Sequence, residues 1–181
     1  MKFTSFKNWL FERKNDNLEY DCLMLGANIS DWKEKISIVD KEDVYETEDD
    51  YGYEKSPHVT IIYGIHPDEV DKKELYKEIE KLKPIKATIE KISFFECDDY
   101  DVVKFDVPVT PELKEYRKTF MKFPNTQDYD DYKPHMTLSY VKKGKAKKYA
   151  QKLEKSFKVT FNTAIYSSPG CNKKYFHLKS Q

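Results

Sequence analysis

The chain has 181 residues with 32 basic and 32 acidic side chains, so it carries no formal net charge. That balance excludes a generally basic nucleic-acid coat and leaves only a local basic groove. Aromatic residues make up 15%, with 14 Tyr and 11 Phe, which speaks for a folded core despite a mean hydropathy of -0.84. The length fits one domain or two closely packed half-lobes. No apolar run is long enough to cross a bilayer. Cys22, Cys97 and Cys171 are odd in number and lack CxxC spacing, so the expectation is reduced thiols in a cytoplasmic protein.

Residues 1–18 form an N-terminal segment in which Phe3, Phe6, Trp9 and Leu10 make an apolar stripe at helical spacing. The folded domain is expected over 19–181. Tyr20–Gly26 reads as a strand, and Ser30 or Asp31 caps a helix through Ile38, with Glu34 at capping-box distance from Asp31. Tyr45–Ser56 is acidic and aperiodic, a surface loop. A strand over His58–Gly64 follows. Pro67-Asp68-Glu69 then opens a helix to Lys83 with Leu75, Ile79 and Leu82 on one face. Ile85–Cys97 and Tyr100–Val107 read as strands joined through Asp98-Asp99. Thr110-Pro111 starts a helix with Leu113, Tyr116 and Phe120 on its face. Met121–Lys133 is a polar, aromatic loop, and His135–Val141 is a strand. The spacing predicts a helix over Gly144–Phe157, then strands over Val159–Tyr166 and Lys173–Leu178 around a Ser-Ser-Pro-Gly turn. Strands and helices mix without strict βαβ alternation, so the fold class is α+β.

Two of the four histidines sit in matched runs: Pro57-His58-Val-Thr60-Ile-Ile-Tyr63 and Pro134-His135-Met-Thr137-Leu-Ser-Tyr140. Alternate strand residues share a face, so His58 with Thr60, and His135 with Thr137, point the same way. The intervening apolar residues face a core. Burial alone does not ask for a histidine and a hydroxyl twice over, and duplicated half-lobes would explain the repeat. Two such strands across a cleft would surround one small anion with two imidazoles and two hydroxyls. Imidazole titrates near neutrality, so one ring can accept a proton while the other donates one, as in-line displacement at phosphorus requires. The threonines can donate hydrogen bonds to the non-bridging oxygens.

With these two runs the chain resembles the 2H phosphoesterase superfamily, named for paired His-x-Thr/Ser motifs, over about Tyr20 to Leu178. The resemblance implies a bilobal duplicated fold, with two antiparallel sheets flanking a central cleft and helices outside. It implies His58 and His135 as the catalytic pair, Thr60 and Thr137 as phosphate ligands, and no metal or other cofactor. Family members include 2′,5′ RNA ligase-like proteins, cyclic phosphodiesterases, and phage enzymes that cleave the cyclic oligonucleotide messengers of bacterial immunity. Residues 1–18 resemble the capsid-targeting peptides of large tailed phages, which end in Leu/Ile-x-Glu, the form of Leu10-Phe11-Glu12. The expectation is therefore a phage-encoded phosphodiesterase acting on cyclic oligonucleotides in the host cytoplasm, with packaging in the virion as a further implication. An RNA-end enzyme acting on 2′,3′-cyclic phosphate or 2′,5′ linkages is the alternative. A nucleotide-binding sponge without turnover is a third reading, and a packaged phage structural protein a fourth.

Other residues offer binding groups. Tyr20, Tyr132, Tyr166 and Tyr175 are candidates for stacking on a base. Lys142, Lys143, Lys145, Lys147 and Lys148 form either a solvated face or a rim that attracts phosphates. Acidic runs at 46–50 and 98–101 disfavour a long duplex and favour a compact substrate such as a small nucleotide or short RNA. His66 reads as a surface or capping residue and His177 as a structural or exposed one. No pair of His and Cys shows a usual metal spacing.

Overall fold

The computed structural model describes residues 20–47, 51–127, 131–168 and 172–179. The expected N-terminal segment and its Leu10-Phe11-Glu12 site lie outside the described residues, as does Cys171. The described residues contain seven strands: β1 (Asp21–Ala27), β2 (His58–Ile65), β3 (Ile85–Glu96), β4 (Tyr100–Asp106), β5 (His135–Lys142), β6 (Gln151–Ser168) and β7 (Asn172–His177). Three α-helices accompany them among the described residues: α1 (Trp32–Ile36), α2 (Lys72–Ile79) and α3 (Pro111–Phe120). The class is α+β with an antiparallel sheet, as the sequence suggests.

Two separate sheets were expected, but the strands hydrogen-bond into one, in the order β2-β1-β6-β3-β4-β5, with β7 also paired to β6. The cause is the pairing of the two long strands. β6 meets β3 along its first half and β1 along its second, with β7 on the edge opposite β1. The order reads the same backwards when β1, β2 and β3 are exchanged for β4, β5 and β6. The strands β2 and β5, at the two ends of this order, pack against each other, so the sheet curls around a cleft.

The two end hairpins match in detail. In one, Gly26 lies opposite His58 and Met24 opposite Thr60; in the other, Asp106 lies opposite His135 and Lys104 opposite Thr137. Each ladder then slips by one residue at the same place, between Leu23 and Met24 and between Val103 and Lys104. The slip leaves Ile61 and Leu138, each three residues past its histidine, as the extra residue of a β-bulge. Each hairpin also starts with Tyr-Asp (Tyr20-Asp21 and Tyr100-Asp101), and both aspartates are buried.

The loops cross over to the opposite hairpin. The Tyr45–Ser56 segment, expected as a plain surface loop, is tied along the outer edge of β5: Tyr45 N–H donates to the Tyr140 carbonyl (3.0 Å) and Glu54 N–H to that of Leu138 (2.9 Å). The 121–127 segment does the same for β2, with Thr126 N–H donating to the Gly64 carbonyl at 3.0 Å. Gly64 has φ +86°, and a Cβ there would stand 2.6 Å from Thr126 Oγ1, so the turn needs glycine.

A single main core joins Trp32, Leu75, Ile79, Leu113 and Phe120 of the helices to alternate strand residues such as Val59, Ile61, Phe105 and Met136. Thr110 caps α3, its hydroxyl accepting from Leu113 N–H at 3.2 Å. The helix expected from Pro67 begins five residues later, at Lys72, where the Asp71 carboxylate accepts from the N–H groups of Lys73 and Glu74. Asp31 precedes α1 without a side-chain capping bond and instead pairs with Lys35 at 2.9 Å.

The helix expected over Gly144–Phe157 is the largest correction. Only Ala146–Tyr149 turns, as a 3₁₀ segment, and β6 begins at Gln151. Between the Ile89–Phe157 and Lys91–Lys152 pairs β3 moves two residues while β6 moves five. This wide bulge brings Leu153 and Phe157 to the same core at a spacing of four, which mimics a helical stripe. No helix among the described residues is long and apolar enough to cross a membrane.

Candidate active site

The strand parity predicted for the two motifs holds at their start. Val59 and Ile61 in β2, and Met136 and Leu138 in β5, are fully buried, while His58, Thr60, His135 and Thr137 are half-exposed on the other side. Past the bulge parity breaks: Ser139 is buried, its hydroxyl donating to the Gly52 carbonyl at 3.1 Å.

Both imidazoles are held in the same way. Nδ1–H of His58 donates to the Ser56 carbonyl at 2.8 Å, and Nδ1–H of His135 to the Lys133 carbonyl at 2.9 Å. A carbonyl only accepts, so each neutral ring is fixed with its proton on Nδ1 and its lone pair on Nε2. Burial pushes the His135 imidazole down to about 4; the Lys133 carbonyl opposes this, while the Lys104 and His58 cations add to it. His58 and His135 are the first residues of β2 and β5, the two strands that pack against each other at the ends of the sheet order.

Several residues around the pair escaped the sequence reading. Phe95 on β3 meets the His135 ring edge-on at 5.0 Å. Lys104, 5% exposed, lies 4.2 Å over the other partner of that contact, the Phe95 ring, and donates to Ser93 Oγ (2.7 Å) and Asp106 Oδ1 (2.5 Å). Asp106 also accepts from Ser93 and lies 3.6 Å from Lys91. Burial works against the Asp106 carboxylate, but the Lys104 and Ser93 hydrogen bonds hold its pKa below the usual range. Arg117 of α3 donates to the Ile61 carbonyl at 3.0 Å and covers the Tyr132 ring at 4.7 Å.

The proposed stacking tyrosines fall in different places. The Tyr132 hydroxyl donates to the Thr60 carbonyl at 2.8 Å, so this ring stands at the site and braces the β2 motif. Tyr20 stacks on His66 (5.4 Å) near Ile65, at the far end of the hairpin from His58. Tyr166 is 1% exposed and donates its hydroxyl to the buried Asp21, so its ring has no face for a base. Tyr175 is exposed on β7.

Three of the five lysines of the basic run pair with acidic side chains. Lys143 pairs with Asp101 (3.3 Å), Lys145 with Asp43 (3.7 Å), and Lys148 with both Asp40 (2.7 Å) and Asp43 (2.6 Å). His66 Nδ1–H donates to Glu69 at 3.0 Å, and His177 lines a separate groove of about 650 Å³ with Leu82, Phe176 and Lys179. Among the described residues no three His, Cys, Asp or Glu converge as a metal site.

Comparison with known proteins follows the same lines. A search of curated proteins returned no match. Among solved structures the chain is similar to Kluyveromyces marxianus Usb1, with a TM-score of 0.59 and 10% identity over 88% of this chain and 98% of that one. The same protein with uridine monophosphate matches with a TM-score of 0.58 and 10% identity, over 88% and 99% of the two chains. At that identity the likeness is one of fold. The family model described as the 2′-5′ RNA ligase superfamily matches residues 27–164, a span that takes in both histidine motifs. The chain therefore belongs to the 2′-5′ RNA ligase superfamily, the 2H phosphoesterases.

Proposed function

We propose that the chain is a metal-independent phosphodiesterase of nucleotides, with His58 and His135 as its acid–base pair and Thr60 and Thr137 as phosphate ligands. The observation that carries this reading is the matched pair of Nδ1 contacts, which orients both Nε2 atoms as the reacting nitrogens. The mirrored strand order and the matched hairpin registers support two duplicated half-lobes, each supplying one histidine and one threonine. Of the two rings we assign the role of base to His135, whose proton affinity is lowered, and the role of acid to His58. His135 then takes a proton from water or from a ribose 2′-hydroxyl as that oxygen attacks phosphorus. His58 donates its proton to the departing oxygen on the opposite side. The threonine hydroxyls donate to the non-bridging oxygens as their charge grows.

The substrate we favour is a cyclic oligonucleotide messenger, with the protein acting in phage counter-defence within a host cytoplasm. Its support is the family resemblance together with the phage-like residues 1–18, and the exposed acidic residues Asp98 and Asp99, which disfavour a long nucleic-acid backbone. A second reading, cleavage of 2′,3′-cyclic or 2′,5′-linked RNA ends, is favoured by uridine monophosphate bound to the similar fold of the Kluyveromyces protein.

The test is incubation in EDTA with cyclic di- and trinucleotides, 2′,3′-cyclic nucleotides and a 2′,5′-linked dinucleotide, read by mass spectrometry. Wild type should linearise one class and His58→Ala and His135→Ala should not. Turnover lost in EDTA and restored by a divalent ion would overturn the metal-free mechanism. Stoichiometric release of unchanged ligand on denaturation would replace the enzyme with a sponge.

A further inference from the structure

The two hairpins agree in register, bulge, histidine and threonine, yet they differ sharply in what lies beside the threonines. Across from Thr60 stands Met24, and across from Met24 stands Ile165 of β6. Across from Thr137 stands Lys104, and across from Lys104 stands Ser93 of β3. The row behind the first threonine is apolar, and the row behind the second holds an ammonium. Beside the histidines the same difference recurs. Gly26 faces His58, and a Cβ there would stand 2.8 Å from Ile165 Cδ1, so a larger residue would have to displace that methyl group. Asp106 faces His135 and is 3.6 Å from Lys91.

A nearly buried lysine is costly, because its charge leaves water for a few fixed partners. The fold does not need one here, since the matched position is filled by methionine at 6% exposure. Lys104 keeps its charge through Ser93 and Asp106 although burial lowers its affinity for the proton. The charged groups of this row, Lys91, Lys104 and Asp106, sum to one positive charge. The matched positions Thr163, Gly26, Met24 and Ile165 carry none.

We infer that Lys104 is a phosphate-positioning residue: its buried ammonium draws the negative charge of a bound phosphodiester toward the Thr137 side of the cleft. This rests on the phosphodiesterase reading above. The lysine acts from beneath the site, through its field and through Thr137, because Ser93, Asp106 and the Phe95 ring already surround its ammonium. A low-dielectric setting strengthens such a field. The same cation disfavours a charge on His135. The asymmetry between two otherwise matched half-sites thus gives the bound phosphate one orientation.

The test is the double variant K104M/D106N. It removes the buried ammonium and its carboxylate together, so no buried charge is orphaned; Lys91, which also meets Asp106, is exposed to water, and the net charge of the chain is unchanged. Binding of uridine 3′-monophosphate is measured by calorimetry, with thermal unfolding in parallel. The expected result is at least tenfold weaker binding in the double variant, with a cooperative melt retained. Nucleotide affinity within twofold of wild type would overturn the inference and leave Lys104 a structural partner of Asp106, with the phosphodiesterase reading intact. Wild type that neither binds the nucleotide nor turns over any substrate of the panel would overturn that reading, and the role of Lys104 with it.

Discussion

Nδ1 of His58 and Nδ1 of His135 are held by the same contact, the carbonyl two residues upstream, at 2.8 and 2.9 Å. In each case the carbonyl belongs to the residue just before a proline, which keeps that backbone extended and aims its oxygen at the ring. Replacing either histidine by alanine should lower kcat by about 10²–10⁴-fold, the usual worth of a positioned acid or base. Both variants should retain the wild-type far-UV spectrum. A loss below tenfold for either, in steady-state assays on the active substrate, would remove that ring from the mechanism.

Burial holds the His135 pKa at about 4 in the folded chain, below the ordinary value of 6.5. The unfolded chain therefore binds more protons between these values, and the sign follows: stability is fully present above about pH 6.5 and is lost as pH falls toward 4. His135→Gln should flatten that part of the curve of unfolding midpoint against pH. With His135 as base, the acid limb of kcat/KM should lie near pH 4 rather than near 6.5.

Tyr132 serves as a test between stacking and bracing. Its hydroxyl donates to the Thr60 carbonyl, so Tyr132→Phe keeps the ring and deletes the bond. The bracing role predicts a loss of about 0.5–1.5 kcal/mol in stability. It also predicts a fall in kcat larger than any change in KM, since Thr60 would be misplaced rather than removed. Unchanged kcat in the phenylalanine variant would leave stacking as the ring's function.

Asp21 is fully buried, with the Tyr166 hydroxyl donating to it and the Lys72 ammonium 3.6 Å away. Tyr166→Phe withdraws the hydrogen bond from a buried carboxylate, at a cost of about 1–3 kcal/mol. Urea unfolding should show this as a lower midpoint with the slope unchanged. Double replacement with Asp21→Asn should recover part of the loss, because the remaining group is then neutral.

What the sequence made legible was local. The alternation around each Pro-His-x-Thr run placed both rings and both hydroxyls on one side of their strands, and Thr110 announced the start of α3. What stayed hidden depended on partners far along the chain. Lys104 gains its meaning from lying opposite Thr137 across a bulged ladder, and nothing near position 104 signals that pairing. A signal did exist: Tyr20-Asp21 and Tyr100-Asp101 open the two matched hairpins. The distance from Asp21 to His58 is 37 residues, and from Asp101 to His135 it is 34, so a search for one fixed period passes over the repeat. The Gly144–Phe157 stripe misled because a wide β-bulge and a helical turn both bring residues four apart to one side.

The pairing of β3 with β6 also bears on how a substrate enters. These strands join the two hairpins through a ladder that runs from Ile85–Phe161 to Ile92–Gln151. Jaw-like opening of the cleft would have to shear that ladder, and the crossed loops at Tyr45–Ser56 and 121–127 fasten the outer edges as well. The spacing between the two imidazoles is consequently a property of the whole sheet, set before any ligand arrives. On the proposed function, a substrate would then enter by movement of loops and side chains rather than by closure of one hairpin on the other.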